Sequence, residues 1–93
     1  MTTLEVLTAA RKRIDTPSKW CKGYISAGSR CCIMGALDEV TLTYIEFHKA
    51  KDVLLSQVGD GIEEFNDHPT TTHRDVLALF DRAIEAERKR GMA

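Results

Sequence analysis

The sequence predicts a mainly α protein: one compact four-helix domain over residues 1–93, with room for a small β-hairpin between residues 24 and 31. Three observations predict it. Apolar residues recur at three- and four-residue spacing in several segments, as on the buried face of a helix. Good capping residues open those segments, and proline or glycine closes them. The 93 residues, 43% hydrophobic and 29% charged, suit one globular domain rather than two or a disordered chain.

The first helix opens on Thr2-x-x-Glu5, a capping box in which hydroxyl and carboxylate take up free backbone donors. Leu4, Leu7, Ala10 and Ile14 then share a face, Arg11-Lys12-Arg13 suit the negative end of the helix dipole, and Pro17 forbids continuation. Thr16-Pro17 can start a short turn that carries Trp20 and stops near Gly23. Gly28-Ser29, between the short runs of Tyr24–Cys31, fits a tight hairpin turn. A helix follows from about Cys31 to Val40; Gly35 within it implies close approach of another element. A longer helix spans Thr43 to Val58, with Tyr44, Phe47, Leu54, Leu55 and Val58 on one side and a Gly59-Asp60-Gly61 turn after it. Ile62–Phe65 is a brief connecting segment before the turn cluster Asn66-Asp67-His68-Pro69. The last helix is capped by Thr72, buries Val76, Leu79, Phe80, Ala83 and Ile84, pairs Glu85 with Lys89, and ends at Gly91.

Composition narrows the function classes. A formal net charge of -1 argues against a dedicated nucleic-acid binder, and the basic runs at Arg11–Arg13 and Arg88–Arg90 have a sufficient role at helix ends. No apolar run approaches the roughly 18 residues of a membrane span, and the opening residues lack the basic-then-apolar pattern of a secretory signal. A cytoplasmic chain with reduced thiols is the expectation, since Cys21, Cys31 and Cys32 make no disulfide framework. They also lack the paired spacing of a zinc site, and no phosphate loop or other cofactor motif is present, so neither metal nor cofactor is expected. A core this small, burying about 60–65% of the unfolded surface, makes homodimerisation a natural expectation.

The order Trp20-x-x-Gly23, Cys32-x-x-Gly35-Ala36-Leu37, Asn66-Asp67, Thr71-Thr72-His73-x-x-Val76-Leu77 and Asp81-x-Ala83-Ile84 resembles a family of small uncharacterised proteins of bacteria, prophages and tailed phages. The resemblance runs from about Trp20 to Ile84. Cys31 stands where members often carry an aromatic residue, and the loop between Gly23 and Cys31 is short for the pattern. It implies a phage or prophage origin, in the host cytoplasm, and by analogy an accessory protein that binds a host or partner protein.

Two functional readings result. In the first, a partner protein is bound by the Gly23–Arg30 loop and the Asn66–His73 turn, with Tyr24, Arg30, Asn66, Asp67, His68 and His73 as the binding residues. In the second, Cys32, or Cys31, at a helix start is an activated thiol, His73 its base, and Asn66 and Asp67 orient the imidazole, as in a hydrolase or transferase using Cys32 and His73. Against the second stands ordinary packing: free cysteine is among the most buried residue types, and Asn-Asp before a capped helix is common turn chemistry.

Overall fold

The structure is a computed structural model and describes residues 1–59 and 61–92. It contains five helices among those residues: α1 (Thr3–Arg13), α2 (Ile33–Val40), α3 (Tyr44–Val58), the short α4 (Ile62–Asp67) and α5 (His73–Met92). A 3-10 turn at Pro17–Lys19 and a hairpin of β1 (Ser26–Ala27) and β2 (Arg30–Cys31) lie between α1 and α2. Four of the helices have seven residues or more, so the four-helix architecture with a hairpin between 24 and 31 is what the chain adopts.

The helix starts obey local chemistry. Thr2 and Glu5 form the predicted capping box, and Thr43 with Glu46 forms a second one at α3. Thr72 Oγ1 accepts from Asp75 N–H at 3.2 Å while the Asp75 carboxylate accepts from Thr72 N–H at 3.0 Å. Helix α2 starts two residues later than expected, because Cys32 is extended and serves as its N-cap: its Sγ accepts from Gly35 N–H at 3.4 Å. Gly59, at φ 87°, caps α3 through a bond from its N–H to the Leu55 carbonyl; the rest of the expected Gly59-Asp60-Gly61 turn passes through residue 60, outside the described residues.

Helix α1 packs on α2, α3 and α5, and α3 also packs on α5. The shared core includes Val6, Leu7, Ala10 and Ile14 of the first segment, Ile33, Ala36 and Leu37 of α2, Ala50 and Leu54 of α3, and Val76, Leu79, Phe80 and Ala83 of α5, each fully buried. Ile62 of α4 closes one end.

Several local expectations are corrected. Ile62–Phe65 is not a connector but most of α4, since Gly61 starts a helix that Asn66 and Asp67 complete. Gly91 does not end α5, which runs on to Met92; an exposed glycine meets no packing that would favour a turn there. Leu4 is only half-buried, and Val6 takes its place in the core. Tyr44 is 76% exposed and Leu55 39%, so the buried face of α3 is carried by Ala50 and Leu54, with Phe47, Val53 and Val58 packed beside it. Glu85 pairs with Arg88 at 3.4 Å, three residues on, rather than with Lys89.

Gly35 shows the predicted close approach. The Ile25 carbonyl, which accepts from Cys32 N–H at 3.1 Å, lies against Gly35. A Cβ on Gly35 would collide with that oxygen and press on Cys31 Cβ at 3.0 Å. Gly35→Ala is therefore expected to lower stability by about 1–3 kcal/mol in urea unfolding, although alanine is the better helix former by about 1 kcal/mol. A variant as stable as the parent would show that the hairpin does not rest on α2.

Candidate functional site

The motif residues converge on the side chain of Asn66. Helix α4 presents this amide, 1% exposed, to the space between the Trp20–Gly23 segment and the start of α2. Its Oδ1 accepts from Trp20 Nε1–H at 2.7 Å and from Ile33 N–H at 3.2 Å. Its Nδ2 donates to the Cys21 carbonyl at 3.1 Å and to Asp67 Oδ1 at 2.9 Å. Both lone pairs and both protons of the amide are thus used, which is the complete capacity of the group. Asp67 Oδ1 also accepts from Gly23 N–H at 2.8 Å. That bond, then the one from Asn66, holds the Asp67 carboxyl below its ordinary 3.8, against the opposing effect of desolvation.

His73 occupies the neighbouring junction. Its Nε2 lies 2.7 Å from the Ile14 carbonyl; since that oxygen can only accept, Nε2 carries the proton. The ring also packs at a tilt on Trp20, centroid to centroid 5.9 Å. His73 so fastens the start of α5 to the end of α1. Cys32 is 6% exposed, its sulfur facing Gly35 N–H as described. No hydrogen bond joins Cys32 to His73 among the described residues. Asn66 and Asp67 point their polar atoms at Trp20, Ile33, Cys21 and Gly23 rather than at the imidazole. Cys31 is fully buried beneath the hairpin, and burial pushes its thiol up to about 11 despite nearby Arg13.

The remaining predicted binding residues lie at the surface. Tyr24 is 69% exposed and its neighbour Ile25 66%. Arg30 is exposed on β2. His68 is exposed too, with Nδ1 accepting from Thr70 N–H at 3.2 Å, so its own turn uses that nitrogen. Lys22 Nζ donates to the His68 carbonyl at 2.7 Å and lies 5.7 Å from the Trp20 ring centroid, tying the Gly23 loop to the Asn66–His73 turn. The loop and the turn are therefore joined at their bases, by this bond and by that from Gly23 to Asp67.

Two features escaped sequence reasoning: the buried, structural role of Asn66 and the exposure of Ile25. Asn66 looked like turn chemistry, and its burial depends on groups 33 to 46 residues away. Ile25 was not singled out, although it stands beside Tyr24 in an otherwise polar loop. A tyrosine–isoleucine pair next to a tight turn is the local signal that was present.

Fold and site together define a small helical domain in which one buried amide ties the Trp20–Cys21 segment to the start of α2, and one histidine ties the start of α5 to the end of α1. A model of the family of unknown function DUF6197 matches residues 1–86, and the chain belongs to that family. No curated protein and no solved structure matches it.

Two expectations follow from the geometry. Asn66→Ala leaves the Trp20 indole, the Ile33 amide and the Cys21 carbonyl without their partner, and should cost about 2–4 kcal/mol. Asn66→Asp has nearly the same shape but sets an oxygen against the Cys21 carbonyl and the Asp67 carboxylate; it should also destabilise. Urea unfolding followed by the emission of the single tryptophan measures both, and a neutral Asn66→Asp would mean that the amide protons are not used as drawn. The second concerns pH. The Asp67 contribution is fully present above 3.8 and is lost as pH falls through the lower folded value. The urea midpoint should fall with acid below that point more steeply in the parent than in Asp67→Asn, and identical acid limbs would refute the Gly23–Asp67 bond.

Proposed function

We propose that this protein is an accessory protein of the phage and prophage kind its motif order resembles, and that it acts by binding a host or partner protein. The Gly23–Arg30 loop and the adjoining turn form the contact surface. The single observation that carries this reading is an exposed apolar pair, Tyr24 and Ile25, on a loop held at several points. Gly23 is bonded to Asp67, the Ile25 carbonyl to Cys32 N–H, and the Ser29 carbonyl accepts from Arg13 Nη2 at 3.0 Å. Large side chains fixed in advance lose little freedom on binding, which is what an interface anchor requires. Asp67, which lines the same small cavity as Tyr24 and Ile25, supplies a polar group beside them, and Arg30 and His68 are the exposed polar residues of the loop and the turn.

Charge supports a protein partner over nucleic acid. Arg11 makes a two-bond pair with Asp81, at 2.8 and 3.3 Å, and Arg13 pairs with Glu39 at 3.0 Å. Arg88 and Arg90 pair with Glu85 and Glu87 along α5. The basic runs are thus partly neutralised by their own fold. Homodimerisation belongs to a different place: Leu42, Tyr44 and Ile45, at the α2–α3 corner, are 93%, 76% and 64% exposed.

Affinity capture from the native host followed by titration tests the assignment. Tyr24→Ser with Ile25→Asp should weaken the captured complex by about 30-fold or more, the loss expected of an interface centre, without moving the melting temperature. Leu42→Asp should leave that complex intact while lowering any self-association seen by light scattering. Equal binding by the parent and the loop variant would refute the loop as the contact surface.

A further inference from the structure

The hairpin has a third neighbour. Trp20 pairs in parallel with Cys31, and Cys21 N–H donates to the Cys31 carbonyl at 3.2 Å. On its other side β2 pairs with β1, and Cys32 N–H donates to the Ile25 carbonyl. The Trp20–Cys21 and Cys31–Cys32 segments thus run side by side in register. Carried one step beyond the Trp20–Cys31 pair, that register sets Cys21 level with Cys32, and the alternation of side chains along extended backbone puts both on the opposite side of the ribbon from Cys31. Matched residues of neighbouring strands stand about 4.8 Å apart. A disulfide needs Cα atoms about 4.4–6.8 Å apart.

The surroundings agree with the register. The Cys21 thiol donates to the Tyr24 carbonyl at 3.5 Å, and Tyr24 lines a small cavity of about 80 Å³ together with Cys32, Gly23 and Asn66. Burial, and after it the proximity of Cys32, raises the Cys21 thiol above its ordinary 9.0. Cys21 is half-buried and Cys32 reaches the cavity wall, whereas Cys31 is sealed in the core.

We infer that Cys21 and Cys32 form a redox-active dithiol that a low-molecular-weight disulfide of the glutathione class converts to an intrachain disulfide. The Cys21 thiolate attacks one sulfur of the oxidant, giving a mixed disulfide and releasing one small thiolate. The Cys32 thiolate then attacks Cys21 Sγ, forms the Cys21–Cys32 bond and expels the second small thiolate. Two electrons pass from the pair to the oxidant, and the two protein protons end on the released thiols or in solvent. The bond closes the segment that carries Tyr24 and Ile25, so oxidation stiffens the same surface that the proposed binding uses. The chemistry itself stands or falls without any partner.

The test is oxidation of the full chain by oxidised glutathione at pH 8.5, where the raised thiol reacts, followed by alkylation of remaining thiols and peptide mapping. The expected product is 2 Da lighter than the reduced chain, with Cys21 joined to Cys32. Its melting temperature should rise by roughly 10 °C, as for a closed loop of this length in a small domain, and dithiothreitol should restore the original value. Cys31→Ala should form the same bond, while Cys21→Ser should not. A stable glutathione adduct on Cys21, a bond to Cys31, or three alkylatable thiols after oxidation would each overturn the pairing. Mapping of the parent chain by fragmentation decides the matter should Cys31→Ala fail to fold.

Discussion

The segment that leads from α1 into the hairpin meets the start of α2 on one neutral amide. Residues 23–30 are all exposed, and the hairpin's strands, Ser26–Ala27 and Arg30–Cys31, are two residues long each. A hairpin of that size has no independent stability in water. Asp67, Arg13 and the Cys32 amide hold it at its rim, and its base is set by Asn66, which holds the indole of Trp20, the Cys21 carbonyl and the first amide of α2 at one point. An ionised carboxylate there would have no proton for Cys21, and an apolar side chain would leave a buried helix-start donor unpaired. An amide meets both demands without burying a charge, whose desolvation would oppose folding.

The arrangement also explains the division of labour among neighbours. Asp67, one residue on and exposed, can remain ionised and therefore takes the Gly23 amide at the rim of the loop. His73 satisfies the Ile14 carbonyl, one of the acceptors left over where α1 ends. Cys32 replaces the usual serine or threonine at an N-cap. Its larger, weaker acceptor is tolerated because Asn66 already holds the first amide of α2 and Ile25 holds the Cys32 amide itself. Gly35 completes the set by leaving space for the Ile25 carbonyl. Each motif residue has a bond to make, and the bonds interlock across loop, hairpin and helix ends.

How far this was legible in the sequence depends on the range of the interactions. Thr2, Thr43 and Thr72 mark helix starts through bonds to residues three positions away, so the helices could be read directly. Gly35 was legible as a contact because a glycine in a helix interior is otherwise unfavourable. Asn66 was not, since its local context is turn chemistry while its partners lie at Trp20, Cys21 and Ile33. The same blindness hid α4, whose six residues are a helix only because Ile62 and Asn66 are buried against distant elements. Tyr44 failed in the opposite sense. Its spacing fits an apolar face, but α3 turns that edge outward near its start, and periodicity alone does not say how wide the buried stripe is. The motif residues were legible as a set; their roles required the contacts.

The network has a consequence for how a surface of this kind can bind. A flexible loop must surrender conformational freedom when it meets a partner, and that cost grows with each side chain and backbone segment it orders. Here the backbone on both sides of Tyr24 and Ile25 is already tied, through Gly23 to Asp67 and through the Ile25 carbonyl to Cys32. The freedom left to lose lies mainly in two side chains. Folding has thus met beforehand a cost that binding would otherwise carry, and it has done so with polar bonds rather than by burying the apolar pair. A chain of 93 residues could bury Tyr24 and Ile25 only by losing the hairpin's exposure. The apolar corner at Leu42 is tied in a different way: the Glu46 carboxylate accepts from Leu42 N–H at 3.0 Å, from Thr43 N–H at 3.2 Å and from the Met1 ammonium at 2.7 Å, so one charged group holds the backbone there, whereas the bonds at the base of Tyr24 and Ile25 come from several separate elements.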